Sequence, residues 1–290
     1  MILFSNSMPL WKRLLRLAAI LILTPVIFLL GCQSKLIYHP SSYRAEDETM
    51  LGKARGERVR FTTSQGAQSA FYVPPRSDAA GLPQTVWLCF GGNASLALDW
   101  LRFTNDWDGR FAYLLLDYPG YGECSGNPTP ATIRESSKAA LEALAKHLNT
   151  TRADLQPRLA LLGHSLGCAA ALMAAEDLDV RRAVLLSPFT SMTDMGRIVL
   201  GWPLCHLNLH RFDNRKALSR VASHEGVRIV IFHGTDDEVI PARMGRALAE
   251  AHPREVTFYE VPGGHHNDLL SRVSDRVGDA MRELAHSGVR

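Results

Sequence analysis

The sequence predicts an α/β fold: a doubly wound, mostly parallel central sheet with helices on both faces. Three observations carry this. Short apolar runs alternate with longer segments of helical period. Most of those runs are apolar at consecutive positions, as strands buried on both faces require. The chain, 290 residues long and 46% hydrophobic, suffices for one large domain of this kind plus an N-terminal appendage, with no internal repeat.

The elements follow in order. Residues 33–55 read as an extended lead-in, since Tyr38-His39-Pro40 is ill suited to a helix. Residues 57–63 and 67–73 read as two strands split by the turn signal Gln65-Gly66. Further strands are expected at 85–90, 111–116, 159–162, 182–186, 227–232 and 255–261. Helical segments lie at 131–148, 165–176, 242–251 and 268–285. Residues 187–225 break the rhythm and read as a small cap or lid over the carboxyl ends of the strands, where such sheets bind ligands. Its three histidines, His206, His210 and His224, match no common metal spacing and read as surface or packing residues.

The first 32 residues read as targeting sequence. Lys12, Arg13 and Arg16 stand at the head of an apolar stretch reaching Leu30, and no acidic residue precedes Glu46. The stretch ends Leu29-Leu30-Gly31-Cys32, which resembles the lipobox of bacterial lipoproteins. That resemblance implies cleavage before Cys32, lipidation of Cys32 and, with Gln33 following, the periplasmic face of the outer membrane. An uncleaved anchor is the alternative. Without the three leading cations the chain carries 29 basic against 29 acidic residues. The formal +3 is then a property of the leader and argues for no nucleic-acid or acidic partner. Cys89, Cys124, Cys168 and Cys205 show no zinc-type pairing. Cys89 and Cys168 read as buried thiols, and a Cys124–Cys205 disulfide stays open.

The chemistry is concentrated at three places. Residues 158–170 read RLALLGHSLGCAA, with Gly163-His164-Ser165-Leu166-Gly167 between a strand and a helix. A sharp strand-to-helix turn leaves Ser165 at its apex with the hydroxyl exposed, as a nucleophile needs. A serine hydroxyl also needs a base, and the base needs an acid to orient it. Both candidates follow later strands: His233-Gly234-Thr235-Asp236-Asp237 and Gly263-Gly264-His265-His266-Asn267-Asp268. Ser, then Asp, then His is the chain order of a nucleophile-elbow triad.

With these motifs the chain resembles the α/β-hydrolase superfamily, and within it the group of BEM46-like and α/β-hydrolase-domain-containing-protein-17-like serine hydrolases, often labelled serine aminopeptidases. The resemblance covers residues 55–285 and implies the α/β-hydrolase fold. It assigns the acid to Asp237, with Asp236 as its rival, and the base to His266, with His265 as its rival. The segment Phe90-Gly91-Gly92-Asn93-Ala94 resembles the group's H-G-N-A motif with Gly91 in place of the histidine. It implies an oxyanion hole made by the backbone N–H groups of Asn93 and Leu166, Gly92 being the rival to Asn93. Asp117 to Gly126 resembles the D-x-x-G-x-G-x-S-x-G segment and reads as structural turns.

Together these imply a membrane-tethered serine hydrolase acting on a carboxylic ester, thioester or amide of a small-molecule or lipid acyl substrate, with no metal or organic cofactor. A non-catalytic envelope scaffold that retains the fold is the alternative.

Overall fold

The structure, a computed structural model, describes residues 8–77 and 81–286, the side chain of Leu29 excepted. The elements run α1 (Leu10–Ile37), α2 (Ala45–Lys53), β1 (Glu57–Thr63), β2 (Gly66–Val73), β3 (Thr85–Phe90), α3 (Leu101–Thr104), β4 (Phe111–Leu116), α4 (Pro130–His147), α5 (Arg152–Leu155), β5 (Leu159–His164), α6 (Leu166–Leu178), β6 (Arg182–Leu186), α7 (Met192–Leu200), α8 (Asn214–Ala222), β7 (Arg228–Gly234), α9 (Ala242–Ala251), β8 (Val256–Val261) and α10 (Leu269–His286).

One eight-stranded sheet has the order β1-β2-β4-β3-β5-β6-β7-β8. The β1–β2 hairpin is antiparallel and so is β2–β4; every later pairing is parallel. Alternation of side chains along each strand builds two cores. Val86, Leu88 and Phe90 face α4, α6, α8 and α9 on one side. Trp87 and Cys89 face Leu98, Trp107 and the apolar stripe of α10 on the other. All residues of β3 and β4 are buried, which is why those strands read as unbroken apolar runs. The chain reverses its winding at β3, which pairs with β4 on one side and β5 on the other. The loops after β3 and β5 therefore meet at the carboxyl edge, at the switch point where ligands bind in open sheets.

The structure departs from the sequence reading at three places and closes one question the sequence leaves open. The lead-in is not extended throughout. Helix α1 continues through Cys32 to Ile37, and Ala45–Lys53 forms α2, which starts with three acidic residues at its positive end. The segment after Cys32 is built into the fold: Gln33 is buried, donates from Nε2 to the Leu207 carbonyl at 2.7 Å and accepts from the Leu209 amide at 2.7 Å. The cap is smaller than 187–225. Helix α8 buries Ala217, Leu218 and Val221 in the main core, leaving α7 and the following residues to 211 above the site. All five cysteines are free; Cys124 is buried against the Ser69 carbonyl and Cys205 lies inside the cap, so no Cys124–Cys205 disulfide forms.

Candidate active site

The elbow between β5 and α6 explains its own composition. Ser165 has φ 56° and ψ −119°, a conformation a side-chain-bearing residue adopts only under constraint. The constraint is close packing. A Cβ on Gly163 would lie 2.5 Å from the Gly167 carbonyl oxygen, and one on Gly167 would run into the carbonyl of Phe90. Only glycine fits at either position. Ser165 N–H donates to the Leu186 carbonyl at 2.8 Å, which pins the apex to β6.

At that apex Ser165 Oγ lies 2.9 Å from His266 Nε2. On the far side of the ring, His266 Nδ1 donates to Asp237 Oδ2 at 2.8 Å and Oδ1 at 3.0 Å. Three side chains from loops distant in sequence thus form one chain of hydrogen bonds. The rivals do not join it. Asp236 is exposed and accepts from the Thr235 hydroxyl, and His265 is exposed beside Glu238. The acid and base loops are bound to each other through Thr235 N–H to the Val261 carbonyl at 3.0 Å and Asp236 N–H to the Gly264 carbonyl at 3.1 Å.

Asp237 is fully shielded yet well solvated by protein donors. The amides of Val239 and Ile240 donate to Oδ1 at 3.0 and 2.7 Å. His233 Nε2 stands 3.4 Å from Oδ2 while donating to the Ile240 carbonyl at 2.8 Å. Burial alone would raise the Asp237 carboxyl. The donors His233, His266 and the Ile240 amide outweigh it and hold the group well below the usual carboxylate range. It is therefore a fixed anion beside the His266 ring.

Two histidines escape the sequence reading. His233 closes the acid loop. His164, inside the elbow motif, donates from Nε2 to the His266 carbonyl at 3.2 Å, so it holds the base loop against the elbow. Burial first, then the neighbouring His266, lowers His164 to about 4, which keeps it neutral near pH 7. The role of His164 is not visible from the chain because its partner lies in a loop distant in sequence, and that of His233 depends on how its own loop folds back to bring the Ile240 carbonyl onto the ring.

The loop after β3 lies against the apex: a Cβ on Gly92 would sit 3.5 Å from Ser165 Cβ. Asn93 and Leu166 line the same cavity as Ser165. Leu166 opens α6, where the first N–H groups have no intrahelical acceptor. Two tyrosines of the Asp117–Gly126 segment hold this loop. Tyr118 donates to the Gly91 carbonyl at 2.7 Å and Tyr121 to the Asn93 carbonyl at 2.5 Å. The segment is thus a brace for the candidate oxyanion loop as well as a set of tight turns.

Above the apex lies a cavity of about 550 Å³. Ser165 and His266 form its floor; Phe189, Met192 and Met195 form one wall, and Leu36 of α1 another. Its size is that of a small-molecule site and its walls are mainly apolar. The cap histidines do not converge on it as ligands. His210 contacts Ser34 and Tyr38, and His224 lies near Asp179. Among the described residues no cluster of His, Cys, Asp and Glu is arranged to hold a metal ion.

Comparison with known proteins agrees with this architecture. Residues 79–224 match the model of the alpha/beta hydrolase family. An uncharacterised protein of Mycobacterium tuberculosis is 31% identical over 248 residues, covering 84% of this chain and 83% of that protein. Human alpha/beta hydrolase domain-containing protein 17B is 32% identical over 154 residues, 53% of this chain and 49% of its own. Among solved structures, the Pyrococcus furiosus esterase Pf2001 superposes with a TM-score of 0.62 at 14% identity, covering 86% of this chain and 98% of its own. The sheet order, the elbow and a family match over half of the sequence lead to one assignment: the chain belongs to the α/β-hydrolase family.

Proposed function

We propose that the protein is a membrane-attached serine hydrolase that cleaves a carboxylic ester or thioester through an acyl-enzyme, with amides as the outer limit of the same chemistry. One observation carries this reading: Ser165 Oγ, His266 and Asp237 form a continuous hydrogen-bonded relay that opens into an apolar pocket.

His266 Nε2 takes the Ser165 proton as Oγ attacks the substrate carbonyl. Asp237 holds the ring with Nδ1 protonated and stabilises the imidazolium. The backbone N–H groups of Leu166 and Asn93 stabilise the oxyanion, at about 3 kcal/mol for each well-aimed donor. Collapse of the intermediate expels the alcohol or thiol, which takes the proton from His266. Water, deprotonated by the same ring, then attacks the acyl-serine and returns the free acid and Ser165.

A fluorophosphonate probe should label the protein and fail to label Ser165→Ala. Labelling that persists in that variant would move the nucleophile elsewhere. The Pyrococcus neighbour is an esterase, which supports the same direction. Membrane attachment is read from α1, whose mean hydropathy reaches 2.4 with none of that window buried, and from Cys32 within it. Lipidation at Cys32 predicts incorporation of radiolabelled palmitate that is lost in Cys32→Ala; a wild type that takes up no label would leave α1 itself as the anchor, and label retained in Cys32→Ala would place the lipid at another residue.

A further inference from the structure

Outside α1, the large apolar side chains left exposed among the described residues are Ile198, Val199, Leu200, Trp202, Leu209, Val239 and Tyr259. All but Tyr259 line the pocket or lie within two residues of ones that do. Val199, Leu200 and Val239 line the cavity above Ser165, as does Leu36 of α1, which is 55% exposed. Ile198 and Trp202 flank them on the same stretch of chain, and Leu209 follows the wall residues Leu207 and Asn208. Val199 and Trp202 are each 75% exposed. Exposed apolar side chains thus gather on the segments that line the pocket, where a protein facing only water would place polar ones.

Helix α1 decides what covers these side chains. Its 28 residues reach about 42 Å, enough to cross the hydrocarbon of a bilayer. Its last turns are fixed to the cap by the two Gln33 hydrogen bonds, and Gln33, Leu36 and Ile37 are themselves wall residues. Whether the attachment is α1 or a lipid on Cys32, the membrane is delivered to the rim of the pocket. The charge pattern agrees. Residues 195–212 contain no acidic side chain, and Lys35, Arg197 and Arg211 in the same segments are exposed cations suited to anionic headgroups. Trp202 is a side chain favoured at the boundary between headgroups and acyl chains.

We propose that the rim formed by residues 198–202 and Leu209 sits in the membrane interface and that the pocket opens into the bilayer, so that the substrate is a long-chain acyl ester drawn sideways from the lipid phase. The proposal rests on the hydrolase reading and narrows it to a substrate class. Water cleaves the ester bond through the Ser165 acyl-enzyme; the fatty acid and the lipid alcohol are released.

The test uses the full chain in vesicles of phosphatidylglycerol and phosphatidylethanolamine with bromine-labelled acyl chains. Trp11→Phe removes the tryptophan on α1. In that background the bromolipid should quench Trp202 fluorescence, and the quench should vanish on adding Trp202→Phe. It should persist on adding Ser165→Ala, since docking does not require turnover. In unlabelled vesicles, Trp202→Glu with Leu209→Glu should lower hydrolysis of a long-chain diacyl lipid about tenfold, with turnover of soluble p-nitrophenyl acetate unchanged. No quenching, or equal hydrolysis of the bilayer lipid by both proteins, overturns the inference; so does a dimer that buries the rim. Quenching in a protein that no fluorophosphonate labels overturns the hydrolase reading and leaves the docking surface standing.

Discussion

At the scale of single residues, the site is a set of small conflicts resolved in favour of chemistry. Ser165 carries a Cβ at φ 56°, where such backbone costs about 1–3 kcal/mol. Ser165→Gly releases that strain, offset by roughly 0.5–1 kcal/mol from the extra freedom of glycine in the unfolded chain. The net expectation is a gain of about 1 kcal/mol and a Tm higher by a few degrees, with probe labelling abolished. Ser165→Ala is the control, because it loses the hydroxyl and keeps the strained Cβ; its Tm should stay below that of the glycine variant. Equal Tm values for the two would show that the turn is not strained. Which serine stands at such a position is legible in the sequence, since Gly163 and Gly167 announce the crowding. His164 and His233 are not legible. His164 donates its N–H to the backbone of a remote loop and His233 donates its N–H to the Ile240 carbonyl within its own loop, and neither bond leaves a pattern in the residue types around it.

At the scale of elements, legibility follows burial. β3, β4 and β6 are covered on both faces, and their sequences are apolar at nearly every position. Helix α2 hides within an extended lead-in because its residues Ala45–Lys53 bury only Leu51 and show no apolar period. α8 merges with the cap because a long interruption looks uniform from sequence, whereas its packing onto the main core depends on α6. The most consequential difference concerns α1. A charged head and an apolar stretch describe a leader whether or not its end docks, and docking depends on Gln33, a polar residue with no periodic signature. Gln33→Ala removes one donor and one acceptor and leaves the Leu207 carbonyl and Leu209 amide without them. The cost should be about 1–3 kcal/mol, confined to the cap. Hydrogen exchange should show faster exchange at the Leu209 amide and its neighbours with core strands unchanged. Unchanged protection there would mean that the Gln33 contacts do not hold the cap.

At the scale of the whole molecule, buried ionisable groups make stability depend on pH in opposing senses. Burial would raise Asp237, but its donors hold it below the ordinary carboxylate range. Its contribution is present above that range and fades as pH falls through its lowered value. His164, lowered to about 4 by burial and by His266, also adds stability as pH rises, because the unfolded chain binds its proton more readily. Asp117 works the other way. Burial pushes it up to about 7, against hydrogen bonds from the Tyr43 hydroxyl and the Ala97 amide that lower it. Between pH 4 and 7 the folded state then holds a proton that the unfolded state has released, so stability falls as pH rises through that window. Asn at this position keeps an acceptor for the Ala97 amide and has no proton to lose. Denaturant titrations of the wild type and Asp117→Asn at pH 5 and at pH 8 separate this group from the histidines, which are common to both. The wild type should lose roughly 2–4 kcal/mol relative to the variant across that interval. Parallel pH dependences would mean that Asp117 is ionised throughout and that its two hydrogen bonds, not its burial, set its charge. Ala97 follows the loop that carries Asn93, and Tyr118 and Tyr121 brace that loop from the same segment as Asp117. The same titration therefore reports on the ground beneath the candidate oxyanion loop, and a wild-type loss of soluble-ester turnover above pH 7 that is absent from Asp117→Asn would tie that carboxyl to the loop's geometry.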